Sequence, residues 1–370
     1  MKIVITGSNG FIGKNLRVHL SENGYKDIIC IDRDSSLEEL NEALKLADFV
    51  FHLAGINRPV NYEEFYEGNA NLTEHIVNKL IESGKKTPLL ISSSIQAELD
   101  NHYGKSKAAA EFSVNKYAEN TGAKVYIYRL PNVFGKWCKP NYNSAVATFC
   151  YNILNDLEVT INNAEAELKL VYIDDVCKSF ISCLKDNIND KNVEVAPVYH
   201  TRVGEVVAII RSFKEKQHSL FIDAVGTGLT RALYSTYLSY YSPEDFAYSV
   251  QRHSDPRGAF VEMLKTEDSG QFSFFTAHPG VTRGGHYHHT KNEKFLVIKG
   301  KAKFSFRHID SHDYYEIFVD GTESKIVETV PGWSHDITNI GDDEMIVMLW
   351  ANEIFDPENP DTVNYKISEE

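Results

Sequence analysis

The chain has 370 residues, 42% of them apolar and 24% charged, the composition of a globular protein with room for two or three domains. Its 38 basic and 52 acidic residues give a net charge of −14 with no basic cluster, which argues against nucleic acid as a partner and leaves only local phosphate sites such as helix N-termini. Five cysteines without a CxxC pair, and the lack of any run of about 18 apolar residues, point to a reduced cytoplasmic protein with no membrane insertion.

Over the first 130 residues, short apolar strands at 2–6, 27–31, 49–53, 88–92 and 124–129 alternate with helical stretches at 11–23, 63–82 and 104–120. Continuously apolar strands separated by helices predict a parallel sheet covered on both faces, the α/β doubly wound (Rossmann-like) class. Helices at 144–155, 174–186 and 204–216 predict a small substrate lobe grown from the same domain. Ser242-Pro243-Glu244 breaks the pattern, so the chain divides into domains 1–243 and 244–370. Beyond that point strand-like runs at 259–265, 271–277, 282–288, 294–298, 302–308, 314–319, 325–330 and 345–349 follow one another without helices, predicting an all-β sandwich or small barrel. The tail after Phe355 reads as an ordered edge that frays.

Three groups of residues carry chemistry. Gly7-x-x-Gly10-x-x-Gly13 follows the first strand and opens the first helix, where backbone N–H groups can receive a pyrophosphate. Asp32 ends the second strand, in position for a ribose hydroxyl, and the adjacent Arg33 favours a 2′-phosphate, hence NADPH over NADH. Tyr103 and Lys107 lie four apart on a helix, so the ammonium sits beside the phenol and is expected to lower its pKa toward the working range of a proton donor. Ser92-Ser93-Ser94 precedes them. In the last third, His286 and His288 alternate on a strand and share a face, Glu293 follows a turn, and His335 returns later. Three imidazoles and a carboxylate suit Zn²⁺, Ni²⁺, Fe²⁺ or Mn²⁺, with zinc the first choice.

Thr6-Gly-Ser-Asn-Gly-Phe-Ile-Gly13, His52-Leu-Ala-Gly55, Asn69, Arg129-Leu-Pro-Asn-Val-Phe-Gly135 and Tyr172-Ile-Asp-Asp-Val176 together resemble an extended short-chain dehydrogenase/reductase of the nucleotide-sugar type. The resemblance implies that the cofactor contacts Gly7, Asn9, Gly10, Phe11, Ile12, Gly13, Asp32, Arg33, Leu53, Ala54 and Lys107. It further implies that Ser94 bonds a substrate oxygen, Tyr103 exchanges the proton, Lys107 holds the ribose, Asn69 orders a relay water and Asn132 lies near the substrate diphosphate. Only eight residues separate Ser94 from Tyr103, short for that family, so the choice between Ser93 and Ser94 stays open.

Gly280-x5-His286-x-His288-x4-Glu293-x6-Gly300 and Pro331-Gly-Trp-Ser-His335-x3-Asn339 resemble the two cupin motifs, implying a jelly-roll barrel with His286, His288, Glu293 and His335 as ligands. Asp255-Pro-Arg-Gly-Ala-Phe-Val-Glu262 and Gly280-Val-Thr-Arg-Gly-Gly-His286 look like the sugar-nucleotide keto-epimerases of the cupin group, in which the residue at His286 is a base and no metal is used. Between these, the complete ligand set favours the metal. Spacing does not identify another base; His289, His312 and Tyr314 are candidates, and Lys294 is not assigned. The whole chain resembles the bifunctional capsular-polysaccharide synthesis enzymes. That implies C3 epimerisation and C4 reduction of a UDP-linked 4-keto-6-deoxy-N-acetylhexosamine to UDP-N-acetyl-6-deoxy-L-talosamine, and a homodimer. The alternative is a single-activity reductase whose cupin is a dimerisation or sugar-binding module.

Overall fold

Ile3, Val4 and Ile5 are all fully buried, so the first strand needs cover on both faces. The computed structural model supplies it. It describes the chain except residues 186–190, 218, 243–249, 289–290, 292, 310–311, 330–332, 359 and 368–370. Five parallel strands, β1 (Ile3–Thr6), β2 (Ile28–Ile31), β3 (Phe49–His52), β4 (Leu89–Ser94) and β5 (Val125–Leu130), form a sheet in the order β2-β1-β3-β4-β5. Helices α1 (Phe11–Glu22), α2 (Leu37–Leu46), α3 (Glu63–Phe65), α4 (Leu72–Glu82) and α5 (His102–Thr121) connect them. On one face Val4, Val50, Leu89 and Ile127 pack with Leu44, Ile76, Leu80, Val114 and Tyr117 of α2, α4 and α5. On the other, Phe180 meets the rings of Phe51 and Tyr128.

A smaller sheet, β6 (Asn132–Phe134), β7 (Glu167–Tyr172) and β8 (Tyr199–Arg202), joins α6 (Ala145–Leu154), α7 (Ile173–Leu184), α8 (Val203–Gln217) and α9 (Gly228–Leu238). The sequence reading anticipated α6, α7 and α8 but neither this sheet nor α9. The strands β6 and β8 are only three and four residues long and carry polar side chains, too little for a period to register.

The C-terminal part is all β, as expected: β9 (Arg252–Asp255), β10 (Gly258–Thr266), β11 (Gly270–Ala277), β12 (Thr282–Tyr287), β13 (Glu293–Lys299), β14 (Lys301–His308), β15 (Tyr314–Asp320), β16 (Ile326–Glu328), β17 (Trp333–Asn339), β18 (Met345–Ala351) and β19 (Val363–Asn364). They build two facing sheets, β16-β13-β18-β11-β10-β9 and β15-β14-β17-β12-β19, a cupin-like jelly roll. Phe275, Phe295, Val297, Phe304, Ile337 and Val347 fill its interior. The tail forms the ordered edge that was expected, with β19 paired to β12 and Tyr365 N donating to Gly285 O at 2.8 Å, while the expected fraying falls on 368–370, outside the described residues.

The chain divides into two compact units, Met1–Arg211 with Thr227–Tyr241, and Ser212–Gly226 with Ser242–Glu370. The 243/244 boundary placed from sequence falls at the edge of 243–249, outside the described residues. No helix among the described residues is long and apolar enough to cross a membrane.

Candidate functional sites

In the N-terminal unit the Gly-rich turn ends at Gly10, which caps α1 without any side-chain hydrogen bond, so the first N–H groups of the helix keep their donors for an anion. Gly7 has φ +69°, and a Cβ there would lie 2.8 Å from Ala54 N, so only glycine lets the turn rest on Leu53 and Ala54 at the end of β3. Asp32 accepts from Ser8 Oγ at 2.9 Å and Asn9 N at 2.5 Å, and Arg17 donates to Asn9 Oδ1 at 3.0 Å. Arg33 is exposed beside them. The expected cofactor residues at the ends of β1, β2 and β3 therefore meet around one turn.

The short Ser94–Tyr103 spacing is filled by a single 3₁₀ turn, Ile95–Glu98, capped by Ser94 Oγ accepting from Gln96 N at 3.2 Å. α5 then starts on Asn101, whose Oδ1 accepts from Gly104 N at 2.7 Å. A Cβ on Gly104 would sit 2.3 Å from Gln96 O, so this glycine is what lets the helix close onto the turn. The result orders the three serines. Lys107 Nζ donates to Ser92 O at 3.1 Å and Ser93 Oγ donates to Glu111 at 2.5 Å, while Ser94 acts on the Tyr103 phenol. Ser94, not Ser93, is thus the serine beside the phenol. Tyr103 also donates to Asn57 Oδ1 at 3.1 Å, and Lys107 Nζ lies 5.8 Å from the centre of its ring.

Burial pushes the Tyr103 phenol above its ordinary value, opposed by the hydrogen bond with Ser94; the lowering that sequence reasoning assigned to Lys107 comes from Ser94. Burial brings Lys107 itself down to about 8, against the charge of Glu111. Glu111, one turn beyond Lys107 on α5, takes a bidentate ion pair from Arg129 (2.7 Å from Nη2), and neither residue had been singled out as a site residue. Asn57 was also missed. Asn69 lies on the π-helical turn Tyr66–Asn71, and its amide is committed to Ile56 O at 3.1 Å, Ser106 Oγ at 3.0 Å and, as acceptor, Ile56 N at 2.9 Å. It braces the loop after β3. Asn132 is exposed and donates to Lys169 O at 3.3 Å, and no described hydrogen bond joins it to Ser94, Tyr103 or Lys107.

In the C-terminal unit His286, His288, Glu293 and His335 converge, with one ligand atom of each within 4.8 Å of the others. A register shift between Gly284 and His286 turns β12 so that His286 lies opposite His335 of β17. Strand β17, absent from the sequence reading, therefore carries the fourth residue of the cluster. His288 Nε2 and His335 Nε2 each lie 3.3 Å from Glu293 Oε2, while Lys291 Nζ is 3.2 Å from Glu293 Oε1. The His335 contact is too poorly aligned for a hydrogen bond, so both nitrogens of this 4%-exposed ring lack a partner among the described residues. A buried imidazole with no partner, aimed at a carboxylate and two further imidazoles, fits a divalent cation.

Burial opposes ionisation of Glu293, but His288, His335 and Lys291 outweigh it and hold the carboxyl well below the usual range. Burial and the neighbouring imidazoles bring His286 down to about 4, leaving it neutral, as a ligand must be. Of the candidate bases, His289 lies outside the described residues. Tyr314 points away from the cluster: its hydroxyl donates to Glu316 on the sheet face shared with Lys303 and Arg307, opposite to Phe304 and Phe306. His312 Nδ1 lies 3.4 Å from the Tyr365 hydroxyl. Lys294 pairs with Glu328 on the outer surface.

Residues 3–196 match the NAD dependent epimerase/dehydratase family, and residues 253–363 match the polysaccharide biosynthesis C-terminal domain. The chain is 56% identical to UDP-2-acetamido-2,6-beta-L-arabino-hexul-4-ose reductase of Pseudomonas aeruginosa, over 100% of both chains. The capsular polysaccharide assembling protein CapF from Staphylococcus aureus superposes with a TM-score of 0.92 at 43% identity, over 99% of this chain and 100% of that one. A UDP-glucuronic acid 4-epimerase from Bacillus cereus, at 16% identity and a TM-score of 0.55 over 65% of this chain and 99% of that one, shares the fold alone.

Proposed function

The chain belongs to the NAD dependent epimerase/dehydratase family, in the two-domain form of the capsular polysaccharide assembling protein CapF, and from that premise we propose a bifunctional nucleotide-sugar enzyme of capsule synthesis. In this reading the C-terminal barrel inverts C3 of a UDP-2-acetamido-2,6-dideoxy-4-hexulose. The N-terminal domain then reduces the C4 ketone to UDP-N-acetyl-6-deoxy-L-talosamine. The observation that carries the reductase half is Ser94 set against the Tyr103 phenol with Lys107 beside it, in the same domain as the uncapped N-terminus of α1.

NADPH, bound along Gly7–Gly13 with Asp32 and Arg33 at its ribose, would supply the hydride. Ser94 hydrogen-bonds the ketone oxygen and Tyr103 gives it a proton. A phenol held above its ordinary pKa stays protonated near neutral pH, the state that a reduction requires of its acid. Lys107 anchors the ribose with its charge.

For the C3 step, removal of a proton alpha to a ketone requires stabilisation of the enolate oxygen. A divalent metal, zinc by first choice, on His286, His288, Glu293 and His335 would supply Lewis acidity or simply order the barrel. With its pKa down at about 4, His286 is a weak base for a C–H proton, which supports its service as a ligand. We include a homodimer, supported by the exposed Met263, Ile298 and Ile326 on the six-stranded sheet of the barrel.

The test uses full-length protein and the 4-keto sugar in deuterated water. The wild type incorporates deuterium at C3 without NADPH and oxidises NADPH when it is added. Tyr103→Phe keeps the exchange and loses NADPH oxidation; His288→Asn loses the exchange. A wild type that oxidises NADPH without any C3 exchange establishes instead the single-activity reductase with a dimerisation or sugar-binding barrel.

A further inference from the structure

The segment after β18 returns to the histidine cluster. Phe355 N donates to Gln271 Oε1 at 3.2 Å, and the Phe355 ring lies 5.6 Å from Lys291 Nζ. Asp361 then makes two contacts at the cluster: its Oδ2 accepts from Lys291 N at 2.8 Å and its backbone carbonyl lies 2.5 Å from His288 Nδ1. β19 follows, with Asn364 opposite His286 and Val363 opposite Tyr287. Tyr365 N donates to Gly285 O at 2.8 Å, and Ser334 Oγ donates to Tyr365 O at 2.6 Å.

A carbonyl oxygen only accepts, so His288 Nδ1 must carry the hydrogen. For the neutral ring this leaves the Nε2 lone pair facing Glu293 Oε2 at 3.3 Å. A lone pair set against a carboxylate is favourable when a cation lies between them. The same short segment ties down the backbone on either side of His286 and the residue before His335.

We propose that residues 361–366 are a positioning part of the metal centre: the Asp361 carbonyl fixes the tautomer and orientation of His288, while Tyr365 holds β12 and β17 in the register that brings His286 and His335 to it. The inference rests on the metal reading above. Outer-shell partners of this kind are worth roughly 10- to 100-fold in metal affinity.

The experiment is zinc binding to the full-length protein, measured by chelator competition, alongside denaturant unfolding of the metal-free form. Tyr365→Pro removes the N–H donor to Gly285, and Ser334→Ala removes the hydroxyl that holds Tyr365 O. Zinc affinity is expected to fall by about 10- to 100-fold in Tyr365→Pro and by a few-fold in Ser334→Ala, with Ser334→Ala unfolding at the wild-type denaturant midpoint when metal-free. That split separates positioning from general loss of stability, and Ser334→Ala keeps the test open if Tyr365→Pro does not fold. Wild-type affinity in both variants, with His288→Asn weakened, overturns the strap alone. A wild type that binds zinc no better than His288→Asn overturns the metal reading and the strap with it.

Discussion

The two sites are built on opposite principles. Around Tyr103 the buried polar groups answer one another: Ser92 to Lys107, Ser93 to Glu111, Ser94 to Tyr103, and Asn69 to Ile56 and Ser106. Around His335 they do not, because its two ring nitrogens are buried without hydrogen-bond partners among the described residues and His288 Nε2 looks onto a carboxylate. The first arrangement is complete as protein and waits only for ligands to enter. The second leaves buried polar atoms that a cation would satisfy, and an unpaired buried polar group carries a desolvation cost of about 1–3 kcal/mol.

This contrast predicts different consequences when each site is broken. Tyr103→Phe removes a proton donor from a site that is otherwise intact. NADPH-dependent reduction should fall roughly 10²- to 10⁴-fold in kcat while the unfolding midpoint stays near that of wild type. A large loss of stability instead would show that the phenol is a structural member of the network. Chelation should do the reverse. At a free metal concentration about 1,000 times Kd, binding stabilises the native state by about 4 kcal/mol, so a chelator should lower the unfolding transition of the barrel. The transition of the N-terminal unit should not move. Calorimetry with and without chelator checks this, and two unmoved transitions would remove the case for a metal.

The same difference explains what the sequence made legible. The N-terminal site is local: Gly7–Gly13, Ser94, Tyr103 and Lys107 lie at the ends of strongly apolar strands or on one helix, so spacing nearly determines neighbourhood. What escaped there were second partners, Glu111 and Asn57, whose roles depend on Arg129 and on the loop after β3. In the barrel the four clustered residues were legible as a motif but their setting was not. On β17, Trp333, His335, Ile337 and Asn339 all lie on one face, yet two of the four are polar, so the alternation that marks a strand disappears from a hydrophobicity reading. The tail was legible as an ordered edge, but its contacts were not: its hold on the barrel runs through backbone atoms of Asp361 and Tyr365, which no side-chain pattern records.

A smaller effect sharpens the contrast within the first site. Lys107 binds its proton less tightly when folded, about 8 against an ordinary 10.5, because burial disfavours the ammonium. Between those two values the unfolded chain holds more protons, so this residue's contribution to stability rises with pH across that window. The charge proposed to anchor the cofactor is meanwhile being lost. The kcat/KM for NADPH should therefore decline above about pH 8, approaching tenfold per pH unit. Lys107→Met should lower activity throughout and abolish that limb. If the limb persists in Lys107→Met, it belongs to another group, and Tyr103, raised by burial, is not expected to titrate there.

The smallest expected effect lies at the cofactor's ribose. Asp32 would repel a 2′-phosphate, but its Oδ2 already accepts from Ser8 and from Asn9 N, which turns part of its charge into the Gly-rich loop. Arg17 holds Asn9 from the other side, and Arg33 stands free of the described hydrogen bonds on the surface, able to meet a phosphate. Being exposed, a pairing with Arg33 is worth only about 1 kcal/mol after solvent screening. Arg33→Ala should therefore raise KM for NADPH by roughly fivefold, leave KM for NADH and kcat nearly unchanged, and lose its effect at high salt. An equal rise in KM for both cofactors would move Arg33 from the 2′-phosphate to the general binding surface and remove the ground for choosing NADPH.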